Sequence, residues 1–341
     1  MRVLIVGAGV TGLTLWRCLE RDGVRAEIVD RAPAPRPAAR PFMLPAHGFP
    51  AIERAGAMDA ARRLGSEIAP RPGAGPVALA TSFVGLSAAL AEGVPVRRGT
   101  EVAALRRDGE RVVGAVLRSA DGGEEAIDAD LVVASDGAGS PVREMAGIVA
   151  ERTPVPEAHL SFVSPVLGDE PFRMRYLGDG SQIGLIAWPE GTAGWWFVDR
   201  VGREAALAPG LDAFRAAFTR LIPEAAEPLA ALTSVDELVY REWDEVRCPE
   251  WWVPGVVVIG DAAHFLGPES GIGAGLGLGD ALALTEAITA EPDDPDAACR
   301  HYDTWWGPRV RPYEAVGAAG GRMPTDPEGR RRPEERWPPA E

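Results

Sequence analysis

Residues 1–31 read MRVLIVGAGVTGLTLWRCLERDGVRAEIVDR, and this stretch decides the fold. The apolar run at 3–6 reads as a buried parallel strand, the glycine-spaced segment at 7–12 as a tight turn entering a helix, and EIVD at 27–30 as a second strand ending in an acid. Gly7 permits the turn, Gly9 lets backbone N–H groups approach a pyrophosphate at the positive end of the helix, and Gly12 lets that helix lie close to the strand. Asp30, eighteen residues beyond Gly12, is placed to accept hydrogen bonds from a ribose diol. Together these features specify an adenine-dinucleotide site without distinguishing NAD from FAD.

The 341 residues suffice for a large core and suit one big domain or two closely joined ones. A formal charge of -15, with no lysine anywhere, offers no basic stripe to nucleic acid and repels anionic membranes. Cys18, Cys248 and Cys299 stand far apart without CxxC or zinc spacing, so neither a disulfide nor a metal site is expected. No run approaches the ~20 apolar residues of a membrane span. These features predict a cytoplasmic protein, a monomer or homodimer.

Proline-rich RAPAPRPAARP at 31–41 must be loop. Helical patterns follow around 51–65 and 83–93, and the text from 94 to 135 is β-rich. From about 151 to 250, short apolar and aromatic runs alternate with Gly, Pro and Asp turns, the signature of an antiparallel sheet. VVVIGDAAH at 256–264 then returns to a buried strand, and helices are expected over about 274–290 and 295–319. Beyond Arg322 the chain is proline-rich and charged, and disorder is expected.

Two further motifs follow buried strands: Asp136-Gly137 with Ser140 and Arg143, then Gly260-Asp261 with Pro268 and a glycine-dense turn into a helix. With the amino-terminal fingerprint, in this order, they make the chain, from residue 1 to about 316, resemble the FAD-dependent aromatic hydroxylases, the class A flavoprotein monooxygenases. The resemblance implies an α/β fold: a Rossmann-like FAD-binding domain of the glutathione-reductase type with an inserted antiparallel β-sheet substrate domain. The implied boundaries are 1–65, 83–150 and 255–320 for the FAD-binding domain, 66–82 and 151–254 for the substrate domain, and 322–341 for the tail.

By the same resemblance, Gly7, Gly9, Gly12, Asp30 and Arg31 would hold the ADP half of non-covalent FAD. Asp136 and Gly137 would lie near the pyrophosphate, with Arg143 ordering their loop. Gly260 and Asp261 would face the ribityl chain, and Pro268, Gly271, Gly273 and Ala274 the isoalloxazine, where a helix dipole can stabilise negative charge. The implied chemistry is reduction of FAD by transient NADPH or NADH, addition of O2 at the flavin C4a carbon, and transfer of one oxygen to a small organic substrate. Arg40 and His47 are expected near the flavin edge, and Tyr176 and Trp188 as sheet residues facing substrate. His264 is expected to pack or bond to backbone, and the tryptophan pairs 195/196, 251/252 and 305/306 to be mostly core.

Three departures from the family stand out. Phe83 replaces an arginine, Gly275 replaces an asparagine, and the stretch between 65 and 83 is short, which predicts that strands walling the pocket are absent and the pocket more open. The first two keep open an alternative, a non-redox FAD-containing cyclase or other tailoring flavoprotein. A flavin halogenase does not fit, because the chain has no lysine and Trp195-Trp196-Phe197 is not its tryptophan motif.

Overall fold

A computed structural model describes residues 1–35, 41–69, 74–169, 171–268, 271–318, 326 and 328–339. Among these residues the strands form four sheets. The first, six-stranded, runs β16 (Trp252–Val253), β17 (Val256–Val258), β10 (Leu131–Ala134), β1 (Arg2–Val6), β2 (Arg25–Asp30), β6 (Arg97–Arg98). Its central strands are parallel and buried on both faces, which is why they read as unbroken Val, Ile and Leu runs. Val6 lies opposite Ala134, and Ala134 opposite Val258, so three strands end at one level. The turns at Gly7, Asp136 and Gly260 therefore leave the sheet at the same carboxyl edge, where open α/β sheets bind ligands.

Helix α1 (Val10–Arg21) follows β1, and α2 (Phe49–Arg54) and α3 (Met58–Arg63) lie beyond. The expected single helix around 51–65 is two, because Gly56 between them has φ of +72°. Three-stranded sheets are formed by β3 (Pro41–Pro45), β5 (Ala78–Ser82) and β4 (Gly65–Ile68), and by β7 (Thr100–Asp108), β8 (Arg111–Ser119) and β9 (Glu124–Asp128). The expectation that the short stretch between 65 and 83 lacks wall strands is thus corrected. Strands β4 and β5 need only nine residues between them, and β5 pairs with both neighbours. Helices α4 (Phe83–Ala91) and α5 (Pro141–Ala146) are capped by Ser82 and Ser140, which accept from the N–H of Gly85 and Arg143.

The second six-stranded sheet is antiparallel, in the order β12 (Phe172–Tyr176), β13 (Gln182–Trp188), β14 (Gly191–Asp199), β11 (Glu151–Ser164), β15 (Val239–Arg247), β18 (His264–Phe265). On its back lie α6 (Arg203–Leu207), α7 (Leu211–Leu221) and α8 (Ala226–Ala230), which bury Phe214, Phe218 and Leu229 against Phe162 and Trp196. Its front faces the cofactor half. Helices α9 (Gly273–Ala290) and α10 (Pro295–Ala318) complete the first half. α9 presses against α1: a Cβ at Gly277 would lie 2.6 Å from Thr11 Oγ1.

The expectation of a disordered tail is corrected over residues 328–339. Trp337 is 1 % exposed, sits between Trp196 and Phe214, and donates its indole N–H to Ala206 O at 2.9 Å. Arg331 is buried and bonds Glu157 at 2.8 Å and Asp179 at 2.7 Å, while Glu335 accepts from Gly178 N–H at 2.9 Å. One large aromatic ring and one ion cluster outweigh the polar composition of the segment.

Candidate cofactor and substrate site

At the end of β1, Gly7 takes φ of +106°, and a Cβ there would lie 2.4 Å from Ser135 O. A Cβ at Gly12 would lie 2.0 Å from Gly7 O, so helix and strand touch through backbone as the motif requires. Gly9 has no described residue within 4 Å of its Cβ position and opens onto a cavity. Ser135 Oγ donates to Val6 O at 3.0 Å and Gly7 O at 2.9 Å, locking the second motif's strand to the first turn. Asp30 accepts from Ala8 N–H at 2.9 Å and Ala32 N–H at 2.8 Å, and Arg98 stands 3.7 Å from it.

Asp136 accepts from Val142 N–H at 3.3 Å through Oδ2, while its buried Oδ1 has no partner among the described residues. Burial pushes this carboxyl up, partly offset by hydrogen bonds from Ser140 and Val142. Arg143, 1 % exposed, donates to Ala262 O at 2.8 Å and Ala138 O at 3.0 Å. It lies behind the cavity wall rather than in it, and ties the Asp136 loop to the Gly260-Asp261 turn. Asp261 faces the cavity, and enclosure by the fold pushes its carboxyl up.

Behind that turn sits a polar cluster of the buried His264, Asp280 and Tyr302 with the half-buried Trp306 beside them. Burial alone pulls the His264 imidazole down, but the Asp280 carboxylate, by charge and hydrogen bond, outweighs it and holds the group above its ordinary value. His264 thus packs as expected, wholly buried against Trp251, and the bond it makes is to a side chain rather than to backbone. Asp280 escapes a motif search because it lies seven residues into α9, in a run of glycine and leucine.

One continuous cavity of ≈1590 Å³ joins these elements to the front of the antiparallel sheet. It is lined by Gly7, Gly9, Asp30, Arg31, Asp136, Gly137, Asp261, Pro268, Gly271, Gly273 and Ala274, and by Tyr176 on the sheet. Gly12 and Gly260 lie just behind, as backbone that shapes the turns. Arg40 falls outside the described residues. His47 does not line the cavity: part of its surface meets solvent, its ring stacks on Tyr313 with centroids 6.3 Å apart, and desolvation of the packed side of the ring lowers its pKa. Trp188, 2 % exposed, is buried beside Ile68, Ala78 and Ala80 of the small sheet rather than facing the cavity, because those strands cover that end of β13. Trp195 does face the cavity, and Trp305 is 38 % exposed, so neither is core. Arg98, His159 and Arg241 also line it; the register of β6 against β2, which sets Arg98 opposite Asp30, was the only signal for the first.

Among the described residues Asp136 Oδ1 lacks a partner, Asp261 is turned into the cavity, and no wall atom lies within 4 Å of the Cβ positions at Gly9, Gly137 and Gly273, all features that fit a phosphate-bearing dinucleotide. The model of an FAD-binding domain matches residues 1–71 and 85–295. The chain belongs to that family. The chain is 27% identical to the aurachin C monooxygenase/isomerase of Stigmatella aurantiaca over 333 residues, covering 88% of this chain and 84% of that one. It is 27% identical to the 3-amino-4-hydroxybenzoate 2-monooxygenase of Streptomyces cremeus, covering 91% and 84%. Among solved structures, PqsL of Pseudomonas aeruginosa, a probable FAD-dependent monooxygenase, superposes with a TM-score of 0.78 at 22% identity, covering 94% of this chain and 95% of that one. The resemblance to FAD-dependent aromatic hydroxylases holds, and FAD is the cofactor. Among the described residues no helix is long and apolar enough to cross a membrane.

Proposed function

We propose that this protein is an FAD-dependent monooxygenase that uses NADH or NADPH and O2 to hydroxylate or epoxidise an aromatic or polycyclic small molecule. The observation that carries the reading is the single cavity, dinucleotide turns at one end and an aromatic sheet face at the other. The relatives' names, monooxygenases of an aminohydroxybenzoate and of aurachin C, agree with it.

Bound FAD would take two electrons from nicotinamide and activate O2. The chain's own groups bind, orient and exclude water. The N–H groups of Gly9 and the start of α1 meet the pyrophosphate, with Arg31 and Arg98 adding positive charge beside Asp30. Asp261 accepts from the ribityl hydroxyls. The first turn of α9, opening at Gly273, presents N–H groups that stabilise negative charge on the ring. Phe83, Phe172 and Trp195 keep the reacting end dry. Tyr176 contacts substrate from the sheet. The setting is the cytoplasm, as monomer or homodimer.

The test is anaerobic addition of NADH or NADPH to the yellow holoenzyme. Bleaching near the 450 nm flavin band, faster with substrate, followed by an oxygenated product once O2 is readmitted, supports the reading. Conversion at full rate without nicotinamide or O2, with FAD oxidised throughout, supports a cyclase instead.

A further inference from the structure

The register of the antiparallel sheet divides its cavity face into three rows. In the first, Phe172 lies opposite Ile186, Ile186 opposite Ala193, and Ala193 opposite Val163. All are apolar. In the second, Met174 lies opposite Gly184, Trp195 opposite Gly184 and Ser161, and Ser161 opposite Val239. In the third, Tyr176 lies opposite Gln182, and His159 opposite both Phe197 and Arg241. Apart from Phe197 this row is polar, and it carries Arg241, the arginine of these strands that lines the cavity.

The rows are also placed relative to the cofactor end. The apolar row packs with Met43 of the small sheet, and a Cβ at Gly271, in the turn after Pro268, would lie 2.5 Å from Met43 Cε. The polar row stands four residues further along the strands, about 13 Å at ~3.3 Å per residue. Arg241 is exposed to the cavity, and its guanidinium has no hydrogen bond or ion pair to any described residue. Its neighbour Glu242 does not neutralise it, being bonded to Arg200 and the Tyr240 hydroxyl, each at 2.8 Å. In a chain with 50 acids and 35 basic residues, a guanidinium left unpaired at the end of an aromatic cavity is set for an anion that arrives with the ligand.

Building on the proposed function, we propose that the substrate is an elongated aromatic carboxylate, bound with its anion on Arg241 beside His159, Gln182 and Tyr176, and its reacting carbon at the apolar row. Arg241 is then a specificity-determining residue, remote from the reacting atoms.

The probe is 4'-hydroxybiphenyl-4-carboxylate, whose phenol and carboxylate lie at opposite ends, compared with its carboxamide. Each is titrated into the holoenzyme and followed by the flavin absorbance change, which needs no turnover. The acid is expected to bind at least tenfold more tightly than the amide. Arg241→Gln abolishes that ratio with flavin content unchanged, and Arg241→Lys keeps part of it. No binding of the acid, equal binding of acid and amide, or an acid preference that survives in Arg241→Gln overturns the assignment. Failure of the monooxygenase reading would look different: the acid would bind with its preference intact, while neither NADH nor NADPH reduced the flavin.

Discussion

His264 Nε2 lies 2.7 Å from Asp280 Oδ2, with both side chains wholly buried. The same oxygen accepts the Gly260 N–H at 2.6 Å, and Oδ1 accepts the Trp306 indole N–H at 2.7 Å. One carboxylate therefore fixes the turn that aims Asp261, from a helix well separated in sequence.

Replacing Asp280 by Ala strands three donors, two of them buried, and breaking such a buried pair costs roughly 3–5 kcal/mol. A sharply lowered Tm and weakened FAD binding are expected; a variant that melts and titrates like the parent would show that the turn holds itself.

The His264–Asp280 pair also makes a pH prediction. A histidine whose folded pKa is raised contributes stability that is complete below its unfolded value of about 6.5 and is lost as pH rises through the folded value. The Tm gap between the parent and His264→Gln should be wide near about pH 6 and narrow near about pH 9. A gap that widens with pH would mean that the imidazole is held neutral.

Asp261→Ala removes a charged acceptor from the cavity wall. FAD affinity should fall roughly tenfold or more, about 1.5–3 kcal/mol, read by fluorescence titration of the apoprotein. Unchanged affinity would displace the ribityl chain from this residue.

Gly275 turns out to be coupled to His47. A Cβ at Gly275 would lie 2.2 Å from His47 Nε2 and 2.7 Å from Pro45 Cγ. Restoring the family's asparagine should destabilise by about 1–3 kcal/mol through overpacking. The double variant His47→Ala, Gly275→Asn should recover part of that loss, measured as a coupling in denaturant melts. Strict additivity would separate the two positions.

Trp337→Ala should cost about 3–5 kcal/mol, and truncation before residue 326 at least as much, both seen as a lower Tm. The composition of the segment predicts no effect at all.

The contrast marks what could be read from residues alone. Gly7, Asp136 and Gly260 were legible because each follows a strand buried on both faces, where hydrophobic pattern and turn chemistry agree. Tyr176 could be placed on the cavity face because an antiparallel strand alternates. Trp188 has the same parity and yet is buried, since the small sheet that covers it pairs residues far apart in sequence. Asp280, Arg98 and Trp337 act only through partners brought by topology, and nothing in their local sequence announces a role.

The strap at 328–339 also sets an order of assembly. A nascent chain that has reached residue 325 already holds every strand of both large sheets, so the dinucleotide edge can form while synthesis continues. The back of the antiparallel sheet is then covered by α6, α7 and α8 alone, with Trp196 and Phe214 lacking their indole neighbour and Glu157 and Asp179 their arginine. Completion of the half built on the antiparallel sheet thus waits on the arrival of twelve residues, which makes that half the last to become resistant to proteases.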